Sequence, residues 1–151
     1  MDAVSRLDYE FIISKKLNIP VETTKKILRG YTSYIKSKVN RGESINVLRI
    51  CRLQIPGYTG YLETLAYTST QLAMELNLNK DIVKMVLFSL EECIIGDIKK
   101  YYPVVLNGVL QLELDEYGAS KKVRIRVSRA LRDGVELHAS TFKVFKRKVE
   151  S

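Results

Sequence analysis

The stretch KLNIPVETTKKIL, Lys16 to Leu28, returns in altered letters as ELNLNKDIVKMVL, Glu75 to Leu87, 59 positions further on. Few residues are shared, but the layout is the same: a helix end, a Leu-Asn turn, then a longer helix with apolar residues at helical spacing. An unbroken offset over two such units points to an internal repeat, and a missed repeat would misplace the whole fold. Setting residues 11–55 on 70–114 without a gap gives 6 identities. Apolar residues nevertheless coincide at fifteen positions, among them Leu17/Leu76, Leu28/Leu87, Ile35/Ile94, Ile45/Val104 and Leu53/Leu112. The register survives from the helices into the strand-like segments that follow them, so a duplication explains the pattern better than two unrelated amphipathic pairs.

Working outward, Leu7, Phe11, Ile12 and Leu17 predict a short helix over 5–17. Pro20 suits the first turn of a second helix, where its missing N–H costs nothing. That helix runs to about Asn40, with Val21, Thr24, Ile27, Leu28, Tyr31, Ile35 and Val39 on one stripe and Gly42 at its stop. SINVLRICRLQI, Ser44 to Ile55, is β-branched and loosely alternating and predicts a strand. Pro56-Gly57 breaks it, and a Tyr-rich connector follows. In the second unit Thr68-Ser69-Thr70-Gln71 has the form of a capping box, predicting a short helix over 69–77. Asn79 then caps a longer one carrying Ile82, Val83, Val86, Leu87, Leu90, Ile94 and Ile98. YYPVVLNGVLQLEL is strand material that Gly108 interrupts as a bulge would. Beyond residue 116, Tyr117-Gly118 turns the chain. KKVRIRVSR, Lys121 to Arg129, alternates strictly, with Val123, Ile125 and Val127 on one face and Lys122, Arg124 and Arg126 on the other. Arg132-Asp133-Gly134 turns the chain again, Val135 to Ala139 reads as a further short strand, and STFKVFKRKVES ends the sequence.

At 151 residues the chain is one ordinary domain or two small ones, and 46% apolar with 28% charged residues is a globular balance. No apolar run approaches the ~20 residues of a membrane span, and the N-terminus has no secretory pattern. Cys51 and Cys93 both fall on apolar faces and are expected as buried thiols in a reducing compartment. The net charge of +8 is uneven. Residues 1–59 carry 11 Lys/Arg against 5 Asp/Glu, residues 60–118 carry 4 against 9, and residues 119–151 carry 10 against 3. Positive ends flank an acidic middle, which suits a polyanion or an acidic protein surface as partner.

Two helices, a strand, a Gly, and a ribbon leading into G-VELH-AS-TFKV-FK resemble the HU/IHF family of bacterial DNA-bending proteins. The residues that carry the likeness are Gly134, Ala139, Ser140, Phe145 and Lys146, with Leu106-Asn107-Gly108 in the place of the family's turn into its sheet. It covers residues 68–148, and reaches 8–55 only through the repeat. The resemblance implies an α+β fold of tandem HU/IHF-like helix pairs, each followed by β-strands, with a C-terminal β-ribbon. The first repeat is set at 1–59 and the second, with basic ribbon and tail, at 60–151. Family members dimerise by intertwining two helix pairs, so two pairs in one chain imply an internal pseudo-dimer. Two departures stand out. No proline lies in the arm, although the family's arm tip uses one to wedge between base pairs, and no closing helix follows Phe145-Lys146. The chain is also similar to the branch of this family found among virion ring proteins of tailed, crAss-like phages, with its duplicated helix pairs, absent arm tip and Tyr-rich connectors.

Catalysis finds no support in the residues. His138 is the single histidine and has no Ser or carboxylate placed to make a triad. Glu91-Glu92 and Asp115-Glu116 are sequence neighbours, which point apart on a helix or strand. No metal-ligand spacing or phosphate-cradling loop is present, so no cofactor, metal or small-molecule substrate is expected, and no membrane. The candidate contact residues are cationic: Lys121, Lys122, Arg124, Arg126, Arg129 and Arg132 on and after the ribbon, and Lys143, Lys146, Arg147 and Lys148 in the tail. Two functions suit them. The first is a structural, ring-forming virion protein in the connector or tail region, working through homo-oligomer and virion contacts after assembly in the host cytoplasm. The alternative is an architectural protein of the bacterial nucleoid that contacts double-stranded DNA phosphates.

Overall fold

The computed structural model describes the backbone of residues 3–117 and 120–139 and, apart from 115–122 and 139, their side chains. Among the described residues four helices and seven strands make a mixed α+β fold: β1 (Val4–Ser5), α1 (Arg6–Leu17), α2 (Val21–Asn40), β2 (Ile45–Val47), β3 (Cys51–Gln54), α3 (Leu65–Leu76), α4 (Lys80–Lys99), β4 (Val104–Leu106), β5 (Leu110–Tyr117), β6 (Ser120–Val127) and β7 (Glu136–Ala139). From α1 to the start of β3, each first-half boundary recurs 59 residues later in α3, α4, β4 and β5. The turns recur as well. Asn18 and Asn77 both end their helices in the left-handed region, at φ 54° and 55°, and Gly42 and Tyr101 do the same after the longer helices, at 85° and 67°.

Local chemistry accounts for most helix ends. Ser5 and Asp8 close a capping box around the start of α1, and the Asn79 side chain accepts from the N–H groups of Asp81 and Ile82. Pro20 stands one position outside α2, as its N-cap. The helix expected over 69–77 starts earlier, at Leu65, with Thr64 as its cap. Thr68 and Ser69 are buried inside it, and their hydroxyls donate to Glu63 Oε1 and the Leu65 carbonyl. A capping-box pattern is therefore met inside a helix here, because those hydroxyls find other acceptors.

The two segments expected as single strands are each a hairpin. Residues 48–50 and 107–109 turn the chain, so that β2 pairs antiparallel with β3, and β4 with β5. In the first turn Leu48 takes φ 51°, an unfavourable conformation for a branched side chain. Its backbone N–H donates to the buried Tyr31 hydroxyl at 2.7 Å, and Arg49 N–H donates to the buried Glu91 carboxylate at 2.7 Å. In the second turn Gly108 takes φ 79°, and the Lys36 side chain crosses so close that a Cβ at Gly108 would meet its Cε at 2.2 Å. Gly108 thus serves a turn, and the expected bulge is not there.

Each sheet borrows a terminal strand from the other end of the chain. The four-stranded sheet runs β1-β4-β5-β6 and the three-stranded one β2-β3-β7. β1 lies parallel to β4, Val4 beside Val104, and β7 lies antiparallel to β3, Leu137 beside Leu53. The helices interlock too. Tyr9 on α1 donates to Asp97 on α4 at 2.8 Å, and Leu72 and Leu76 of α3 close over Gly30 of α2. One apolar core results. Of the fifteen coincident apolar pairs, eleven are buried at both members, from Ile13/Leu72 to Leu53/Leu112. Cys51 lies in this core, where burial pushes its thiol up to about 12, and Cys93 is half-buried; both are free.

Candidate interface on the basic ribbon

The ribbon is the hairpin of β5 and β6. Strict alternation in both strands sets its two faces. Leu110, Leu112 and Leu114 oppose Val127, Ile125 and Val123 on the inner face, where the leucines nearest the helices, Leu110 and Leu112, are buried. On the outer face Gln111 opposes Arg126, Glu113 opposes Arg124, and Asp115 is the register partner of Lys122. Beyond β6 the chain stays tied to the sheet by Ser128 N–H donating to the Val109 carbonyl at 2.8 Å. Leu131 then plugs into the core, and Gly134 at φ 82° turns the chain toward β3.

This arrangement gives the four candidate cations whose side chains are described different surroundings. Arg124 is paired across the ribbon with Glu113, Nη1 to Oε1 at 3.2 Å, both side chains about two-fifths exposed (40% and 39%). Such a pair is worth only ~0.2–1 kcal/mol, but it sets a carboxylate against one of the ribbon's cations. Arg126 and Arg129 are exposed, and among the described residues neither has an ion-pair partner. Both line a shallow groove with Gly108, Gln111 and Ser128. Arg132 lies in the crossing segment, its guanidinium over Gly42 at the entry to the first hairpin. Lys121 and Lys122 belong to β6 by their backbone. Lys143, Lys146, Arg147 and Lys148, with Ser140, Phe145 and the rest of the tail, lie outside the described residues.

Glu113 is the residue that the sequence reading left out of the site. Its signal was in the chain: setting LQLELDEY antiparallel against SKKVRIRV places every acidic residue beside a basic one. The acidic middle and the basic end therefore meet inside one ribbon.

The buried acidic groups are structural. Glu91 accepts from the Arg49 backbone and guanidinium, while its neighbour Glu92 points outward to Lys16 at 3.4 Å. Glu63 accepts from Tyr34, Thr68 and Lys38, tying α2 and α3 to the connector. Burial works to raise the Glu63 pKa, but these donors outweigh it and hold the carboxyl below its usual range. Burial foremost, together with the Glu63 hydrogen bond, raises the Tyr34 hydroxyl in turn. His138 sits exposed on β7 beside Glu136 at 3.5 Å. Among the described residues no three His, Cys, Asp or Glu side chains gather as a metal site would need. No described helix is long and apolar enough to cross a membrane. Comparison with models of protein families and with curated proteins finds no match to this chain.

Proposed function

We propose that the chain is a non-enzymatic structural protein, a tandem HU/IHF-like pseudo-dimer that works by assembling with copies of itself and with other proteins, as a ring-forming component of a tailed phage virion would. The observation that carries this reading is the mixed charge of the ribbon's outer face. A strand that tracks phosphates gains most from unopposed cations, since each neutralised phosphate releases counterions. Here Arg124 is already engaged by Glu113, and Lys122 stands in register with Asp115. Alternating charge of this kind fixes register and partner choice in protein contacts. Two further features support the reading. Terminal strands lace the two halves into one body, which suits a rigid building block, and no proline stands at the hairpin tip to wedge into DNA.

Sedimentation of the purified protein over a concentration series tests the proposal. Association into discrete oligomers is expected. A protein that stays monomeric to its solubility limit overturns homo-assembly.

The second reading, DNA architecture, is favoured by Arg126 and Arg129, which are exposed without an ion pair among the described residues, and by the net charge of +8. It predicts duplex affinity that falls with salt, with a slope reduced by about one in Arg126→Ala. No duplex binding at low salt rules it out.

A further inference from the structure

Each of the two sheets ends on a strand that is long enough to pair further. β6 closes one side of the four-stranded sheet and β7 one side of the three-stranded sheet, and among the described residues no strand covers either outer edge. An open edge presents a row of backbone donors and acceptors that can template another strand. β6 is the longest such end strand among the described residues, at 8 residues. The other edge strands, β1 and β2, have 2 and 3 residues.

We propose that β6 of one copy pairs antiparallel with β7 of a second copy, with Glu136 of one beside Arg126 of the other. This rests on the assembly reading above and names its contact. Charge selects the occupant. A second β6 would bring Arg and Lys against Arg and Lys, and like charges directly opposite are destabilising. β7 instead carries Glu136, whose side chain is 58% exposed and lies 3.5 Å from His138. Among the described residues Arg126 is the outer-face arginine of β6 without an ion pair, whereas Arg124 is engaged by Glu113. Placing Glu136 beside Arg126 also sets Leu137 against Ile125 and Val135 against Val127, all four now only half-buried. Apolar residues then meet apolar ones on the helix-facing side, and the two sheets run on as one. The contact joins unlike edges, so it is head-to-tail and can close into a ring.

The test uses the full chain as Arg126→Glu, as Glu136→Arg, and with both changes together, each checked for native circular dichroism. Sedimentation should show association weakened about tenfold or more in each single variant, because each sets like charges face to face. The double variant should recover it, since the pair is restored with its signs exchanged. Single variants that associate like the unaltered protein overturn the edge pairing while leaving assembly by another surface intact. Loss in both singles without recovery in the double overturns it too. An unaltered protein that is monomeric overturns both this contact and the assembly reading.

Discussion

At the scale of single residues, the repeat places like side chains in like surroundings. Leu28 and Leu87 stand 59 positions apart, on α2 and α4, at 1% and 0% exposure. Leu28→Ala and Leu87→Ala should each cost about 2–5 kcal/mol in denaturant unfolding, the range for truncating a fully buried leucine. A cost near zero at one site alone would mean the two are not equivalent. Glu63 behaves differently, because its contribution depends on its charge. Its folded pKa is depressed, so the stabilisation is present above the ordinary carboxyl value and lost as pH falls through the folded one. Glu63→Gln should therefore be less stable than the unaltered protein above about pH 5, and the two should converge as pH drops below about 4. A gap that stays constant across thermal melts from pH 3 to 7 (about the carboxyl titration range) would show that the carboxylate charge plays no part.

At the scale of elements, two glycines separate backbone need from backbone cost. Gly96 lies inside α4 with nothing within 4 Å of where a Cβ would sit. Gly96→Ala should stabilise by about 0.5–1 kcal/mol, because alanine loses less backbone entropy in a helix. Gly108 is the opposite case: its φ of 79° disfavours any side chain, and Lys36 fills the space. Gly108→Ala should destabilise and should raise the melting temperature under no condition where Gly96→Ala does. The hairpin at 48–50 reverses the chain without glycine, its positive φ falling on Leu48, one position earlier in the turn than Gly108. There the buried Tyr31 hydroxyl and the Glu91 carboxylate hold the N–H groups of Leu48 and Arg49, so partners from α2 and α4 enforce a turn that its own residues do not favour.

At the scale of the whole molecule, the terminal strands decide the architecture. β7, from the end of the described chain, completes the sheet begun by the first helix pair, and β1 adds to the sheet of the second. Segments 1–59 and 60–151 expressed separately should each lack a strand and the other's helices, and should be largely unfolded by circular dichroism. Mixed, they should regain native helicity. A segment that folds cooperatively alone would show that the lacing is dispensable.

Apart from α1, where Leu7, Phe11 and Ile12 stay exposed and Tyr9 and Ile13 are buried instead, the amino-acid sequence alone determined the presence of the four described helices, the 59-residue offset and most of the core. Those features are local: apolar spacing fixes which face a helix buries, and asparagine and glycine mark where it stops. Alternation in Lys121 to Arg129 likewise determined which arginines share the ribbon's outer face. Only the tertiary structure decided which strand lies beside which. Ladder hydrogen bonds use backbone groups that every residue except proline offers alike, so β7 carries no residue code for β3, nor β1 for β4. The same holds for Glu63 with Lys38 and Glu91 with Arg49, partners 25 and 42 positions apart that meet only once the helices have packed.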